Sequence, residues 1–134
     1  MDDPHTAESL NRLTSMLIDA AIRIHREVGP GLLERAYFEC LCFELVRAGL
    51  QIETQKALPL VYQELTIRCA YRADLIVESA VVVEVKAIET IAPIHTRQLY
   101  TYLVIADCRV GLILNFGAKT MKDGIKRVVN NFPE

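Results

Sequence analysis

Apolar residues recur at steps of three and four along two stretches of the first 48 residues, which is the spacing of a buried helix face. The first predicted helix runs from Ser9 to Val28, with Thr6 or Ser9 as its N-cap. The second runs from about Leu32 to Ala48. Gly29-Pro30-Gly31 separates them, because proline disfavours helical geometry in the residue before it. The predicted stripes are Leu10, Leu13, Leu17, Ala21, Ile24 and Val28, then Leu33, Tyr37, Leu41, Leu45 and Ala48.

After residue 49 the pattern changes to short runs typical of β-strands. Predicted strands cover residues 51–56, 58–62, 65–77, 80–88 and 110–116, with a third helix from about Pro93 to Ala106. The run Val81-Val82-Val83 indicates a central strand covered on both faces. Ile125 to Val129 forms either an edge strand beside residues 110–116 or a short helix. This order predicts an α/β (α+β mixed) fold with one mixed sheet flanked by helices.

Composition favours one compact domain over all 134 residues, since 51% of the residues are apolar and 24% are charged. We expect residues 1–8 to form a flexible tail. No apolar run approaches the about 20 residues of a membrane span, and the start Met1-Asp2-Asp3-Pro4 lacks the features of a signal peptide. We therefore expect a cytoplasmic protein with no membrane partner. The four cysteines are expected to be buried, reduced thiols rather than disulfides or a zinc site.

Charged residues interrupt two of the predicted strands. Glu84 and Lys86 are two residues apart, so both side chains point to the same face. Asp74 lies in the preceding strand, and it faces Glu84 in an antiparallel hairpin if the connection is Glu78-Ser79-Ala80 or contains a bulge. A two-residue turn would move Glu84 to the other face. We therefore predict the longer connection, with Asp74 and Glu84 on one face.

Burying these charges is unfavourable unless they pair or bind a metal. One explanation is an ion pair between Glu84 and Lys86 at a sheet edge, with Asp74 simply exposed on its strand. The other is a site for phosphodiester hydrolysis, in which carboxylates bind Mg²⁺ or Mn²⁺ and a lysine orients the attacking water. Gln98 and Tyr102, spaced i, i+4 on the third helix, could hydrogen-bond a phosphate or a metal-bound water. Alternatively, Tyr102 is a core aromatic with Gln98 at the rim.

Four motifs occur in a recognisable order: Gly31-x-x-Glu34-x-x-Tyr37, Asp74, Glu84-Val85-Lys86 and Gln98-x-x-x-Tyr102. From about residue 10 to residue 130 the chain resembles the GxxExxY family, which is grouped with the PD-(D/E)XK nuclease superfamily. The resemblance implies a restriction-endonuclease-like core, a central mixed β-sheet flanked by helices. It also implies a Mg²⁺-dependent (or Mn²⁺-dependent) nuclease acting on DNA.

The resemblance implies roles for individual residues as well. Asp74 and Glu84 match the metal ligands, with the backbone carbonyl of Val85 as a further ligand. Lys86 matches the catalytic lysine. Glu34 matches an acidic residue that approaches the metal directly or through water. Gln98 and Tyr102 match a motif that positions the DNA end or the scissile phosphate. Ala73 stands where the superfamily signature has proline, which leaves the ligand Asp74 intact.

Further polar residues give weaker signals. The segment 108–130 carries five basic residues against one acid. It either tracks a nucleic-acid backbone or protects an edge strand from aggregation. The weak candidates for nucleic-acid contact are Lys56, Arg97, Lys119 and Lys122. His25 and His95 are expected to be ordinary surface or satisfied histidines rather than general bases.

The sequence alone leaves three functions open. The first is a metal-dependent nuclease. The second is a catalytically silent module that keeps the nuclease fold and binds nucleic acid or protein. The acidic N-terminal half favours this hypothesis, because residues 1–64 carry 6 basic and 10 acidic groups. The third is an enzyme acting on a nucleotide or another phosphoester. Sequence-specific cutting would need a homodimer or a protein partner.

Overall fold

The computed structural model describes residues 3–134. The helices are α1 (Ala7–Val28), α2 (Glu34–Arg47) and α3 (Pro93–Ala106), and the strands are β1 (Ile52–Tyr62), β2 (Leu65–Val77), β3 (Val81–Lys86), β4 (Val110–Asn115) and β5 (Ile125–Val129). A short 3₁₀ turn, Lys122–Gly124, precedes β5. No helix within residues 3–134 has the length and apolar composition needed to cross a membrane.

The five strands form one mixed sheet in the order β1-β2-β3-β4-β5. Only the β3–β4 pair is parallel, and the other neighbours are antiparallel. The predicted α/β architecture is confirmed. The two runs 51–56 and 58–62 form the single strand β1, because the pairing with β2 shifts register between Leu58 and Leu60 and so accommodates Pro59. The edge-strand alternative for Ile125–Val129 is also confirmed, with the 3₁₀ turn leading into it.

The hairpin between β2 and β3 has the predicted register. Leu75 lies opposite Val83 and Val77 opposite Val81, so the connection is the three residues 78–80. Glu78 and Ser79 both adopt positive φ, at 54° and 51°. Asp74 and Glu84 therefore follow at facing positions, where the regular pairing ends.

Each face of the sheet packs against helices. On one face, the odd-numbered residues of β3 contact the apolar stripes of α1 and α2. On the other face, Val82, Ile76 and Ile113 pack against Leu99 and Leu103 of α3. Alternation along the strands then places Glu84 and Lys86 on the α3 face, with Val82. This α3 face carries the candidate site.

The structure corrects several local predictions. Helix α2 begins at Glu34 rather than Leu32, so Leu33 lies outside the helix and is 81% exposed. Val28 and Ala48, at the ends of the predicted stripes, are also exposed because they lie beyond the helix-packing contact. Cys69 is exposed on the β1–β2 hairpin, whereas Cys108 is buried. All four cysteines are free.

Helix α1 starts two residues before its predicted start at Ser9, so Ala7 and Glu8 belong to the helix rather than to the predicted tail. Helix α1 begins at Ala7, and the side chain of Thr6 caps it by accepting a hydrogen bond from the N–H of Ser9. Met1 and Asp2 lie outside the described residues.

Candidate active site

The ladder between β2 and β3 opens at Asp74, and carboxylates replace the backbone bonds. The N–H of Asp74 donates to Oε2 of Glu84 at 2.7 Å, and the N–H of Val85 donates to Oδ2 of Asp74 at 2.9 Å. Each carboxylate is thus held by the backbone of the opposite strand. These reciprocal bonds fix both groups between β2 and β3.

The opening also affects the backbone of Val85. The N–H and C=O of one strand residue point to the same side of the strand. Because the N–H of Val85 points towards Asp74, its carbonyl is directed to the same gap between the strands. The site therefore combines two carboxylates with a carbonyl that has left the regular ladder.

Burial controls the ionisation of both acids. It raises the pKa of Glu84 to about 8, and the nearby Asp74 carboxylate adds to the rise, while the N–H of Asp74 and the Lys86 ammonium oppose it. Burial also raises the pKa of Asp74, against the lowering effects of the Val85 N–H, Lys86 and the Gln55 side chain. A buried Glu84 carboxylate beside the half-buried, negatively charged Asp74 forms a site that a cation would stabilise.

Gln55 is a part of this site that sequence analysis missed. It lies in β1 opposite Asp74, at a break in the pairing between Thr54 and Lys56, and its φ is 50°. Left-handed backbone is unfavourable for a residue with a side chain, and such strain concentrates at functional sites. Here it accompanies an interaction of the Gln55 side chain that lowers the pKa of Asp74 and so favours its ionised form. A glutamine in an alternating strand gives no sequence signal for this role.

Lys86 lies half-buried on the same face as Glu84, two residues further along β3. Its positive charge lowers the pKa of both acids. Within residues 3–134, no ion pair within 4.0 Å joins it to Glu84, and β3 is the central strand rather than an edge. The ion-pair explanation is therefore wrong, and Asp74 is not simply an exposed strand residue.

Helix α3 brings Tyr102 close to the acids. Its side chain is 6% exposed, and its ring packs at 5.7 Å from that of Tyr71. Burial, followed by the charges of Glu84 and Asp74, raises the pKa of Tyr102 to about 12, so it stays a neutral hydroxyl. Gln98, one turn earlier, is exposed. Tyr102 is thus both the core aromatic of the alternative explanation and a neighbour of the carboxylates.

The Gly-x-x-Glu-x-x-Tyr segment holds the loop before α2 in place. Gly31 has φ 106°, which favours glycine. The hydroxyl of Tyr37 donates to the Gly29 carbonyl and accepts from the N–H of Leu32, while its ring stacks on Phe116 at 4.6 Å. These contacts fix Glu34 at the first position of the helix. Glu34 is exposed, and its charge makes the smallest contribution to the raised pKa of Glu84.

The predicted nucleic-acid contacts are scattered. Lys56 forms an exposed ion pair with Glu53 at 2.9 Å. Arg97 is exposed on α3. Lys119 lines both a cavity on the α3 face and a groove on the α1 side, and Lys122 lines the groove with it. The structure does not bring these four residues together into one basic patch.

The two histidines have structural partners, as expected. Nε2 of His25 lies 2.9 Å from the carbonyl oxygen of Ala118, and Nδ1 of His95 accepts from the N–H of Ala92 at the start of α3. Neither belongs to the site around Asp74.

The model of the PD-(D/E)XK nuclease superfamily matches residues 11–128. The chain belongs to this superfamily. No curated protein and no solved structure matches it. The five-stranded mixed sheet flanked by helices is in keeping with the restriction-endonuclease-like fold of the PD-(D/E)XK superfamily, and membership implies nuclease chemistry on nucleic acid.

Nucleases of the PD-(D/E)XK superfamily typically use divalent metal ions, and the donor set here suits such an ion. Asp74 and Glu84 each use one oxygen for a backbone N–H, and the second oxygen of each keeps lone pairs for a cation. Within residues 3–134 no three His, Cys, Asp or Glu side chains form a metal-binding group, so the side chains contribute two carboxylates. Mg²⁺ is commonly held in this way, with water and substrate phosphate completing its shell. Oxygen donors alone also favour Mg²⁺ or Mn²⁺ over zinc.

Proposed function

We propose that this protein is a Mg²⁺-dependent or Mn²⁺-dependent nuclease that hydrolyses phosphodiester bonds of DNA. The observation that carries the proposal is the open ladder at Asp74 and Glu84, where two reciprocally held carboxylates lie beside Lys86. Membership of the superfamily supports the reaction class. A carboxylate pair of this kind costs stability without a cation, which argues for a function in binding one.

Asp74 and Glu84 are the proposed metal ligands, and the carbonyl of Val85 is a third donor. A divalent cation bound there would polarise the scissile phosphate and acidify a water molecule. Lys86 orients that water and offsets negative charge that develops on the phosphate. Glu34 is exposed at the start of α2, so we place it in contact with the site through water rather than as a direct ligand.

Two residues of α3 complete the proposed site. The neutral hydroxyl of Tyr102 donates a hydrogen bond to a phosphate oxygen of the bound nucleic acid. Gln98 is exposed on the same helix and contacts the same nucleic-acid strand. Arg97, Lys56, Lys119 and Lys122 are proposed as weak backbone contacts, which would add salt dependence rather than sequence specificity.

We also propose that the chain belongs to the GxxExxY family. The supporting observation is that Gly31 and Tyr37 together fix the backbone that presents Glu34.

A cytoplasmic location is proposed because all four cysteines are free thiols, as expected in a reducing compartment. A homodimer or a protein partner would supply target recognition, and sedimentation velocity tests the homodimer.

A Mn²⁺ soak with anomalous diffraction tests the site without a guess about the substrate. The expected result is one ion within coordination distance of both carboxylates, absent from a crystal of the Asp74→Asn variant. The same protein should then nick or degrade DNA in Mg²⁺ and not in EDTA. No ion at saturating Mn²⁺, together with DNA binding that EDTA leaves unchanged, would instead support the silent binding module. Cleavage of nucleotides but not of DNA would support the small phosphoester enzyme.

A further inference from the structure

A cavity of about 540 Å³ opens on the α3 face where β3 and β4 end. The loop after β3, the first turn of α3 and the start of β5 form its walls. Its volume lies in the range of sites for small organic ligands. Among the residues that line this cavity, Lys119 alone has a role proposed above, as a weak contact to the nucleic-acid backbone.

Asn115 at the end of β4 supplies a polar group to the cavity. It is 2% exposed, and its Oδ1 accepts hydrogen bonds from the N–H of Ile88 at 3.0 Å and of Gly117 at 3.1 Å. Because both partners are N–H donors, the atom facing them must be the oxygen, and the amide nitrogen faces away. Within residues 3–134 that nitrogen makes no hydrogen bond, yet no buried side-chain nitrogen is left sealed and unpaired. The side-chain nitrogen of Asn115 is therefore an unpaired hydrogen-bond donor that is accessible from the cavity.

The cavity adjoins the candidate active site, because Asn115 in its lining pairs with Lys86 on the neighbouring strand. Lys86 and Asn115 are paired residues on the parallel strands β3 and β4, which places them about 5 Å apart. Both side chains lie on the α3 face, because Val82 and Ile113, which alternate with them, pack against α3. A nucleic-acid strand with one phosphate beside Lys86 would reach the cavity with its next nucleotide.

The charges of the cavity favour one phosphate rather than several. Lys119 and Lys126 line it, opposed by Glu89 and Asp123, so the formal charges cancel. In the part of the chain that the structure describes, none of these four forms an ion pair. The two ammonium groups remain available for a ligand. The first turn of α3 adds further positive potential.

The remaining wall is apolar, formed by residues such as Ile91, Pro93 and Ile125. A nucleobase presents flat apolar faces and an edge of hydrogen-bond acceptors and donors. Apolar walls with a single fixed amide donor suit such a group.

We propose that this cavity binds the nucleotide adjacent to the scissile phosphate, as a single nucleoside monophosphate unit. Lys119 and Lys126 contact its phosphate, the apolar wall contacts its base, and Nδ2 of Asn115 donates to an acceptor on the base edge. This inference rests on the proposed nuclease function, and it adds a substrate subsite on the β4–β5 side of the metal ligands.

The test is a titration of ¹⁵N-labelled protein in EDTA with each of dAMP, dCMP, dGMP and dTMP, followed by NMR. The side-chain amide resonances of Asn115 are expected to shift. Asn115→Asp keeps the oxygen that accepts from Ile88 and Gly117 but replaces the donor by a negative oxygen, so the Kd should rise at least about tenfold. Lys119→Gln combined with Lys126→Gln should raise it about fivefold or more. Arg68→Gln, which removes an exposed charge on the β1–β2 hairpin, should leave it unchanged.

Three results would overturn the inference: no shift at any mononucleotide concentration, equal binding by Asn115→Asp, or equal binding of inorganic phosphate. The last would show an anion site without base recognition. Asp74→Asn separates this inference from the proposed function, since that variant should bind the mononucleotide and fail to cut DNA. A wild-type protein that cuts DNA but binds no mononucleotide would contradict only the subsite. Mononucleotide binding without any cleavage would contradict only the nuclease.

Discussion

The N–H of Asp74 donates to the Glu84 carboxylate across the gap between β2 and β3, at 2.7 Å. The strands pair regularly up to Leu75 and Val83, so the acids meet where the ladder stops. A slip of one residue in this hairpin would move Glu84 to the face covered by α1 and α2. The three-residue connection after β2 therefore determines the geometry of the candidate site.

Asp74→Asn should abolish metal-dependent cleavage without unfolding the protein. Asparagine keeps an oxygen that can accept from the N–H of Val85, but it removes the charge that holds a cation. We expect cleavage to fall by about 100-fold or more. The free energy of unfolding in EDTA should not fall, because burial disfavours the charge that is lost. Asp19→Asn on the exposed side of α1 is the matched control. Equal cleavage by both variants would exclude Asp74 as a ligand.

Glu84 makes the stability of the metal-free protein depend on pH. Its pKa is raised from 4.5 to about 8 in the folded state, mainly by burial. Between these pH values the folded protein holds a proton that the unfolded chain has released, so stability falls as the pH rises. Glu84→Gln cannot lose this proton. In EDTA, the free energy of unfolding of the variant relative to that of wild type should rise on the order of 4 kcal/mol from about pH 5 to about pH 9.

Urea denaturation at these two pH values measures the effect, with Glu27→Gln on α1 as the control. Metal affinity should show the opposite trend. Cation binding needs the ionised carboxylate, so the apparent affinity for Mn²⁺ should rise by up to about tenfold per pH unit below pH 8. A stability difference that does not vary with pH would contradict the raised pKa of Glu84.

Much of this site could be predicted from the sequence because strand alternation is a strict rule. The spacing of Glu84 and Lys86 determines a shared face, and the register follows once the connection after β2 is known. Gln55 could not be found in this way, because its contact with Asp74 depends on a break in the pairing of a different hairpin. Asn115 was missed because its role arises from loop N–H groups that have no sequence signature. Leu33 was misplaced because an apolar residue next to a helix fits the stripe without entering the helix.

Lys86→Gln should separate metal binding from chemistry. The ammonium lowers the pKa of both acids, but it is not placed among the proposed ligands. We expect Mn²⁺ to bind the variant at neutral pH with affinity within about fivefold of wild type, while cleavage falls by about 100-fold or more. Calorimetry and a DNA nicking assay measure the two quantities. If Mn²⁺ binding disappears together with cleavage, Lys86 acts on the metal site rather than on the water.

Tyr102→Phe tests the proposed phosphate contact of α3. The ring packing against Tyr71 stays, so the free energy of unfolding should change by less than about 0.5 kcal/mol. Loss of the hydroxyl should lower kcat/KM for DNA by about tenfold. Tyr100→Phe, on the same helix and exposed, is the matched control. Unchanged kcat/KM in Tyr102→Phe would leave Tyr102 with the role of a core aromatic alone.

Tyr37→Phe should act through the loop that presents Glu34. The ring still stacks on Phe116, but the carbonyl of Gly29 and the N–H of Leu32 both lose their partner. We expect the free energy of unfolding to fall by about 1–2 kcal/mol. In contrast, Glu34→Gln at the exposed start of α2 should keep full stability and lose activity. Urea denaturation and cleavage assays on both variants distinguish the two effects. Full activity in Glu34→Gln would assign this motif a purely structural role, because only the loop contacts of Tyr37 would then remain to explain it.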